Sequence, residues 1–260
     1  MDLATSLGLG LAIFSLAASV VIEGGHLGSL FSVPASIIVF GGTIGATVIG
    51  FSVKELKNVP TLFKIGFMGK DVDALQMIQI LVRFAEKARR EGLLALEDDL
   101  GAVDNDFLKK GMQLVIDGTD AELVRNILET ELNFIQERHD KGAAIFEAAG
   151  GFAPTMGIIG TVMGLVHVLG NLNDTDSLGP AIATAFIATL YGVASANVLF
   201  LPLAAKLKNR SANEILVYEV TLEGILSVQS GDNPRIVEEK LKAFLAPELR
   251  KNKLQAGGGE

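Results

Sequence analysis

The chain has no cysteine and no tryptophan, and only two tyrosines and three histidines in 260 residues. Without cysteine there is no disulfide framework, no thiolate nucleophile and no thiolate metal site. The more telling absence is of positive charge. All 22 Lys and Arg residues fall within residues 53–144 and 205–260. The remainder carries none, and holds four apolar stretches: Leu3–Ile22, Phe31–Phe51, Phe146–Leu169 and Leu178–Leu203. Each approaches or exceeds the roughly 20 residues a helix needs to cross a bilayer. At 49% hydrophobic the average would suit a soluble domain; the clustering excludes one.

Lys and Arg resist translocation and keep their loops cytoplasmic. The expected topology has both termini inside, with Glu23–Leu30 and Gly170–Ser177 as short outer loops of a multi-pass inner-membrane protein. The first stretch has only Asp2 before it and no basic residue, so it reads as a retained span, not a signal peptide. The net charge of −8 belongs to a mixed-charge cytoplasmic surface, which does not suggest nucleic-acid binding. The expected division is 1–52 for the first two spans and 53–144 for a cytoplasmic helical domain. Residues 145–204 hold the last two spans with their extensions, and 205–260 the C-terminal helices and a polar tail.

Helical periodicity dominates the cytoplasmic blocks. Asp71 is placed to cap a helix beginning near Val72, with Leu75, Ile78, Val82 and Ala85 on one face and Gly92 ending it. A second helix fits Asp106–Ile116, with a turn at Asp117-Gly118. Thr119 to Glu122 reads as a capping box. From there no strong breaker intervenes before the third span, so that helix should project into the cytoplasm. The fourth should do likewise, through Val228 to a stop at Gly231. Asn233-Pro234 opens one more helix, which Pro247 should stop, and Lys251–Glu260 should be disordered. The fold class is all-α: four transmembrane helices with a helical cytoplasmic domain from the 2–3 loop and the C-terminal tail.

The spans contain no Lys, Arg or Asp. Intramembrane ionisable groups are costly and usually functional, so a complete carboxylate-based ion pathway is excluded for this chain alone. Glu147 falls at headgroup level. His167, near the outer end of span three, is a proton relay or an interfacial imidazole; without a deeper titratable partner the second reading is favoured. The mid-membrane polar groups are mainly hydroxyls, among them Thr161 and Thr189. A hard cation accepts such oxygens, while a threonine can equally back-bond one turn earlier; spacing alone favours the latter. Ala181, Ala185, Ala188, Gly192 and Ala196 form a small stripe on span four, suited to close helix packing. Gly41 and Gly45 repeat that spacing on span two. Pro154 and Pro202 are hinges or static kinks.

Three motifs carry a family resemblance. GGFAPTMGIIGTVMGLVHVLGNL from Gly150, and LGPAIATAFIATLYGVASANVLFLPLAAKL from Leu178, resemble spans three and four of the MotA/PomA flagellar stator subunits. ARREGLLALEDDL resembles their charged cytoplasmic segment. The related ExbB and TolQ energisers of outer-membrane processes have three spans, so four spans favour the stator family. The resemblance implies a homo-oligomer, thought to be a pentamer, around a MotB/PomB-type single-span B subunit that supplies the membrane aspartate. It implies no enzyme activity and no cofactor beyond the transported cation, Na+ or H+.

Residue by residue, Pro154 matches the proline beside the B-subunit aspartate, and Pro202 the second family proline. Arg89 or Arg90, and Glu97 extended by Asp98, match the charges that face the rotor protein FliG. Thr161 and Thr189 match threonines that sodium-driven members place near the ion, which favours Na+ over H+. The stripe Ala181, Ala185, Ala188, Gly192 and Ala196 is expected to pack against the B subunit.

Overall fold

A computed structural model describes residues 3–69, 73–170, 172 and 175–250, with residues 175–177 and 248–249 followed by backbone alone. Among the described residues there is no strand. Four helices are long and apolar enough to cross a membrane: α1 (Leu3–Ile22), α2 (Val33–Gly50), α6 (Ala121–Gly170) and α7 (Leu178–Gln229). The further helices of nine residues or more among the described residues are α3 (Val59–Met68), α4 (Ala74–Glu91), α5 (Asp106–Ile116) and α8 (Pro234–Lys242). The helices that carry spans three and four, at 50 and 52 residues, are longer than the roughly 20 residues a bilayer crossing needs.

Contacts divide the chain into two compact units: Met1–Lys70 with His139–Asn209, and Asp71–Arg138 with Arg210–Glu260. The first contains the spans. Polarity alone assigns residues 53–69 to the cytoplasmic block, but contact groups them with the spans. α3 packs Leu62, Phe63 and Phe67 on Ala143, Phe146, Leu203, Ala204 and Leu207. Phe63 meets Phe146 edge-to-face at 5.0 Å. α2 ends at Gly50, and the chain restarts through a reciprocal capping box between Ser52 and Glu55. The Ser52 hydroxyl and backbone N–H hold the Glu55 carboxyl below its usual range.

The second unit is built on large aliphatic side chains. α4, α5, α8 and their parts of α6 and α7 enclose Ile78, Leu81, Leu96, Leu108, Met112, Leu128, Ile225 and Leu241, all essentially inaccessible. The Tyr218 ring lies 4.9 Å from that of Phe107, tilted by 56°, and its hydroxyl donates to Glu214 at 3.2 Å. Burial pushes its phenol up to about 12, with the neighbouring Glu214 charge adding to the shift.

Several local expectations change. The proposed Asp71 cap lies outside the described residues, as does the polar tail; Asp73 caps α4 by accepting the Leu75 N–H at 2.9 Å. α6 starts at Ala121, so Asp120 is its cap and accepts from the Glu122 N–H at 2.9 Å; Thr119 instead gives its carbonyl to Gln229. Pro247 opens a short turn, Pro247–Arg250, rather than stopping α8, which ends at Lys242: a proline that lacks its N–H suits a first helical turn. Gly92 and Gly231 stop their helices at φ 87° and 70°, where a side chain would be strained. On α2, Gly41 and Gly45 face open space, and it is Gly42 that lies against Met156.

Candidate functional site

The third and fourth spans meet backbone to backbone. A Cβ at Gly157 would lie 2.8 Å from the Ala188 carbonyl oxygen and 3.1 Å from the Thr189 Cα. One at Gly160 would meet the Ala188 methyl at 2.7 Å, and one at Gly164 the Ala185 methyl at 2.6 Å. Gly192 sits directly on the Ala153 carbonyl. Lipid is as apolar as a side chain, so contact here comes from close approach, which only small residues allow. Ala185, Ala188, Gly192 and Ala196 are therefore buried within this chain. Within the chain, Gly157, Gly160 and Gly164 of span three lie against Ala185, Ala188 and Gly192. Ala181, half-buried, lines an outer crevice of about 480 Å³ with His167 and Thr184.

The close approach brings two hydroxyls together. Thr161 Oγ1 lies 2.6 Å from Thr189 Oγ1, 2.8 Å from the Ala185 carbonyl and 3.2 Å from the Gly157 carbonyl. Thr189 Oγ1 is 3.4 Å from that same Gly157 carbonyl. Either hydroxyl can donate across the 2.6 Å contact, and Thr161 can donate to the Ala185 carbonyl across the seam. Four oxygens from two helices converge with no carboxylate among them. Back-bonding, which spacing alone favoured, is only the longer part of the Thr161 arrangement.

The two prolines flank one contact. Pro154 has no N–H to offer the Gly150 carbonyl, yet α6 continues through it. A Cβ at Gly150 would meet Leu201 at 2.6 Å and Phe200 at 3.5 Å, immediately before Pro202. There α7 widens into a π-helical segment, Ala196–Phe200. Such wide turns accompany missing ladder bonds and recur at functional positions. α2 carries another at Ile37–Gly41. At the inner end, Lys208 pairs with Glu147 at 2.6 Å, so the carboxylate is held where a charge is tolerated. Tyr191 donates to the Leu30 carbonyl at 2.5 Å and accepts the Ser32 N–H at 3.1 Å, fixing the entrance of α2 to span four.

In the other unit, Arg89 and Arg90 occupy the last turn of α4, and Glu97, Asp98 and Asp99 the first turn of Glu97–Leu100. Each set suits its helix dipole. Gly92 and a 3-10 turn, Leu93–Leu96, join them. Arg89, Arg90, Glu97 and Asp98 are exposed on this tip, while Lys87 and Asp99 pair at 2.8 Å behind it. The Asp99 carboxylate raises the Lys87 ammonium above its ordinary value. Leu94, 72% exposed, protrudes among the charges.

A family model described as the MotA/TolQ/ExbB proton channel family matches residues 100–220, and one described as Motility protein A N-terminal matches residues 6–92. Motility protein A of Bacillus subtilis (strain 168) is 42% identical over 246 residues, which is 94% of this chain and 91% of that protein. The chain belongs to the MotA family of flagellar motor stator subunits. The fold agrees. In the structure of C. jejuni MotAB a chain 32% identical superposes with a TM-score of 0.91, covering 95% of this chain and 97% of that one. In the flagellar MotAB stator complex from Bacillus subtilis the TM-score is 0.88 at 42% identity, covering 94% and 96%. A MotA-family subunit is part of an ion channel and motor, not an enzyme. The glycine ladder of span three, the two π-helical segments and the Tyr191 contact escaped sequence reasoning. Only the ladder had a signal, in the spacing of Gly157, Gly160 and Gly164.

Proposed function

We propose that this MotA-family stator subunit couples Na+ flow, in preference to H+, to torque on the rotor protein FliG, as part of a pentameric ring around a MotB/PomB-type single-span B subunit. The observation that carries the reading is the four-oxygen cluster of Thr161, Thr189, Gly157 and Ala185 in a seam without an acid. Na+ is a hard cation that takes neutral oxygen ligands, and the missing carboxylate is the part a B subunit would bring. That a B subunit is present in the solved MotAB neighbours supports the assembly. Pro154 and Pro202 act as the places where the seam yields during the cycle. Arg89, Arg90, Glu97 and Asp98 form the FliG-facing charges, and both termini are cytoplasmic. One charge crossing 100 mV releases about 2.3 kcal/mol, several times thermal energy and sufficient to bias a ring between neighbouring positions.

An ExbB/TolQ-like energiser shares the channel-family description. The match of residues 6–92 to the Motility protein A N-terminal model, which includes both first spans and the Arg89–Arg90 pair, favours the motor. The test is swimming speed across external Na+ at fixed pH, with the chain and its B subunit expressed in a stator-less motile strain. Speed should rise with Na+, fall with Thr161→Ala and be largely restored by Thr161→Ser, which keeps the hydroxyl. Speed indifferent to Na+ and abolished by a protonophore would instead make it a proton motor, with Thr161 serving only packing.

A further inference from the structure

α1 differs from every other span in having no buried residue. Where it passes the π-helical segment of α7 it leaves a crevice of about 420 Å³. Gly8 and Ala12 form one wall, and Val198, Leu199 and Leu203 the other, with Lys206 at one end. The Gly8 position is open, with no atom within 4 Å of where a Cβ would stand. From Ala4 to Ala12 the wall runs about 12 Å along the helix axis. Apart from Thr5, Asn197 and Lys206 the lining is apolar, and its length suits part of a hydrocarbon chain.

The two ends of the crevice are unlike. Lys206 is half-buried and lies two residues before Lys208, whose pairing with Glu147 marks the level at which charge is tolerated. Lys54, Lys57 and Lys64, on the segment that leads into α3 and on α3 itself, are exposed in the same unit. Basic groups at that level attract anionic headgroups, and a lysine stem buries along apolar surface while its ammonium reaches the interface.

We propose that this crevice binds an anionic phospholipid from the leaflet that faces the basic blocks. One acyl chain lies between α1 and α7, and the phosphate sits at the Lys206 ammonium. The bound chain supplies the packing that α1 lacks. It also fills the space behind the Ala196–Phe200 turn, next to Pro202, so lipid occupancy limits how far α7 can bend there.

The test uses the full complex with its B subunit, purified in mild detergent. Lipid is measured by native mass spectrometry after adding phosphatidylglycerol or phosphatidylcholine. The wild-type complex should retain phosphatidylglycerol several-fold better than phosphatidylcholine. Lys206→Gln should erase that preference, and Gly8→Leu, which fills the crevice, should lower retention of both. Equal retention of the two lipids by wild type, or retention unchanged in both variants, overturns the proposal. A photocrosslinking residue at Ala12 tests occupancy without filling the crevice. An adduct of phospholipid mass supports the site, whereas an adduct joining two copies, or joining the B subunit, assigns the crevice to a protein contact and overturns it.

Discussion

The two compact units hold together in opposite ways. In the cytoplasmic unit, buried side chains are large: Ile78, Leu81, Leu108, Met112, Leu128 and Ile225 fill the core, and water drives them there. In the membrane unit the tightest contact is made by what is missing. Gly157, Gly160, Gly164 and Gly192 let two backbones touch, and the side chains buried beside them are methyl groups, those of Ala153, Ala185 and Ala188. With no water to expel, a bigger side chain gains nothing by facing a helix instead of lipid. The same change in volume therefore has opposite meaning in the two units: enlargement is ruinous in one, and truncation in the other.

The largest effect should come from breaking the seam. Gly157→Leu meets the Ala188 carbonyl and the Thr189 Cα, which are backbone and have no rotamer to escape into. The cost should exceed the ~1–3 kcal/mol typical of an overpacked core. The expected result is loss of stator complex from the membrane, read by co-purification with the B subunit; normal recovery would show that the seam opens readily. Next is the converse change. Leu81→Ala, at a position with no exposure, should cost ~2–5 kcal/mol and lower the melting temperature of the purified complex by on the order of 10 °C. A shift near zero would mean that Gly224 and its helix close onto the gap, since Gly224 already lies against Leu81.

The smallest effect belongs to the surface pair. Lys87 is held above its ordinary value by Asp99, so its stabilisation is fully present below the ordinary lysine pKa and lost only as pH rises through the raised one. Lys87→Gln should leave the pH dependence of melting unchanged between about pH 6 and about pH 9, where lysine stays protonated. A change of slope within that window would place another titrating group at the tip.

Hydropathy and turn chemistry carried most of the fold. Leu3–Ile22 and Asp106–Ile116 have the expected bounds, and Gly92, Gly118 and Gly231 all take positive φ where a stop or turn was read. What stayed hidden is rotation about a helix axis. Both faces of a span are apolar, so composition does not say that Gly42 rather than Gly41 faces a neighbour. For the same reason the span-four stripe does not announce that Gly157, Gly160 and Gly164 lie against it within the chain. α3 was masked by its charged neighbours, because averaging over residues 53–144 conceals an apolar face made by Leu62, Phe63 and Phe67. The wide turns had no legible code: Ala196–Phe200 at least precedes a proline, while Ile37–Gly41 has no such marker.

The Tyr191 hydroxyl has a consequence for synthesis. It serves the Leu30 carbonyl and the Ser32 N–H, which precede it by 161 and 159 residues. A backbone group shut away from water needs its partner at once. At ~5–20 residues per second, translation takes on the order of ten seconds or more to travel from one to the other. During that time the mouth of the first hairpin must stay hydrated. The insertion of the earliest spans is thus completed only when the last one arrives, and a ribosome stalled before residue 191 would leave behind a hairpin whose entrance has not closed.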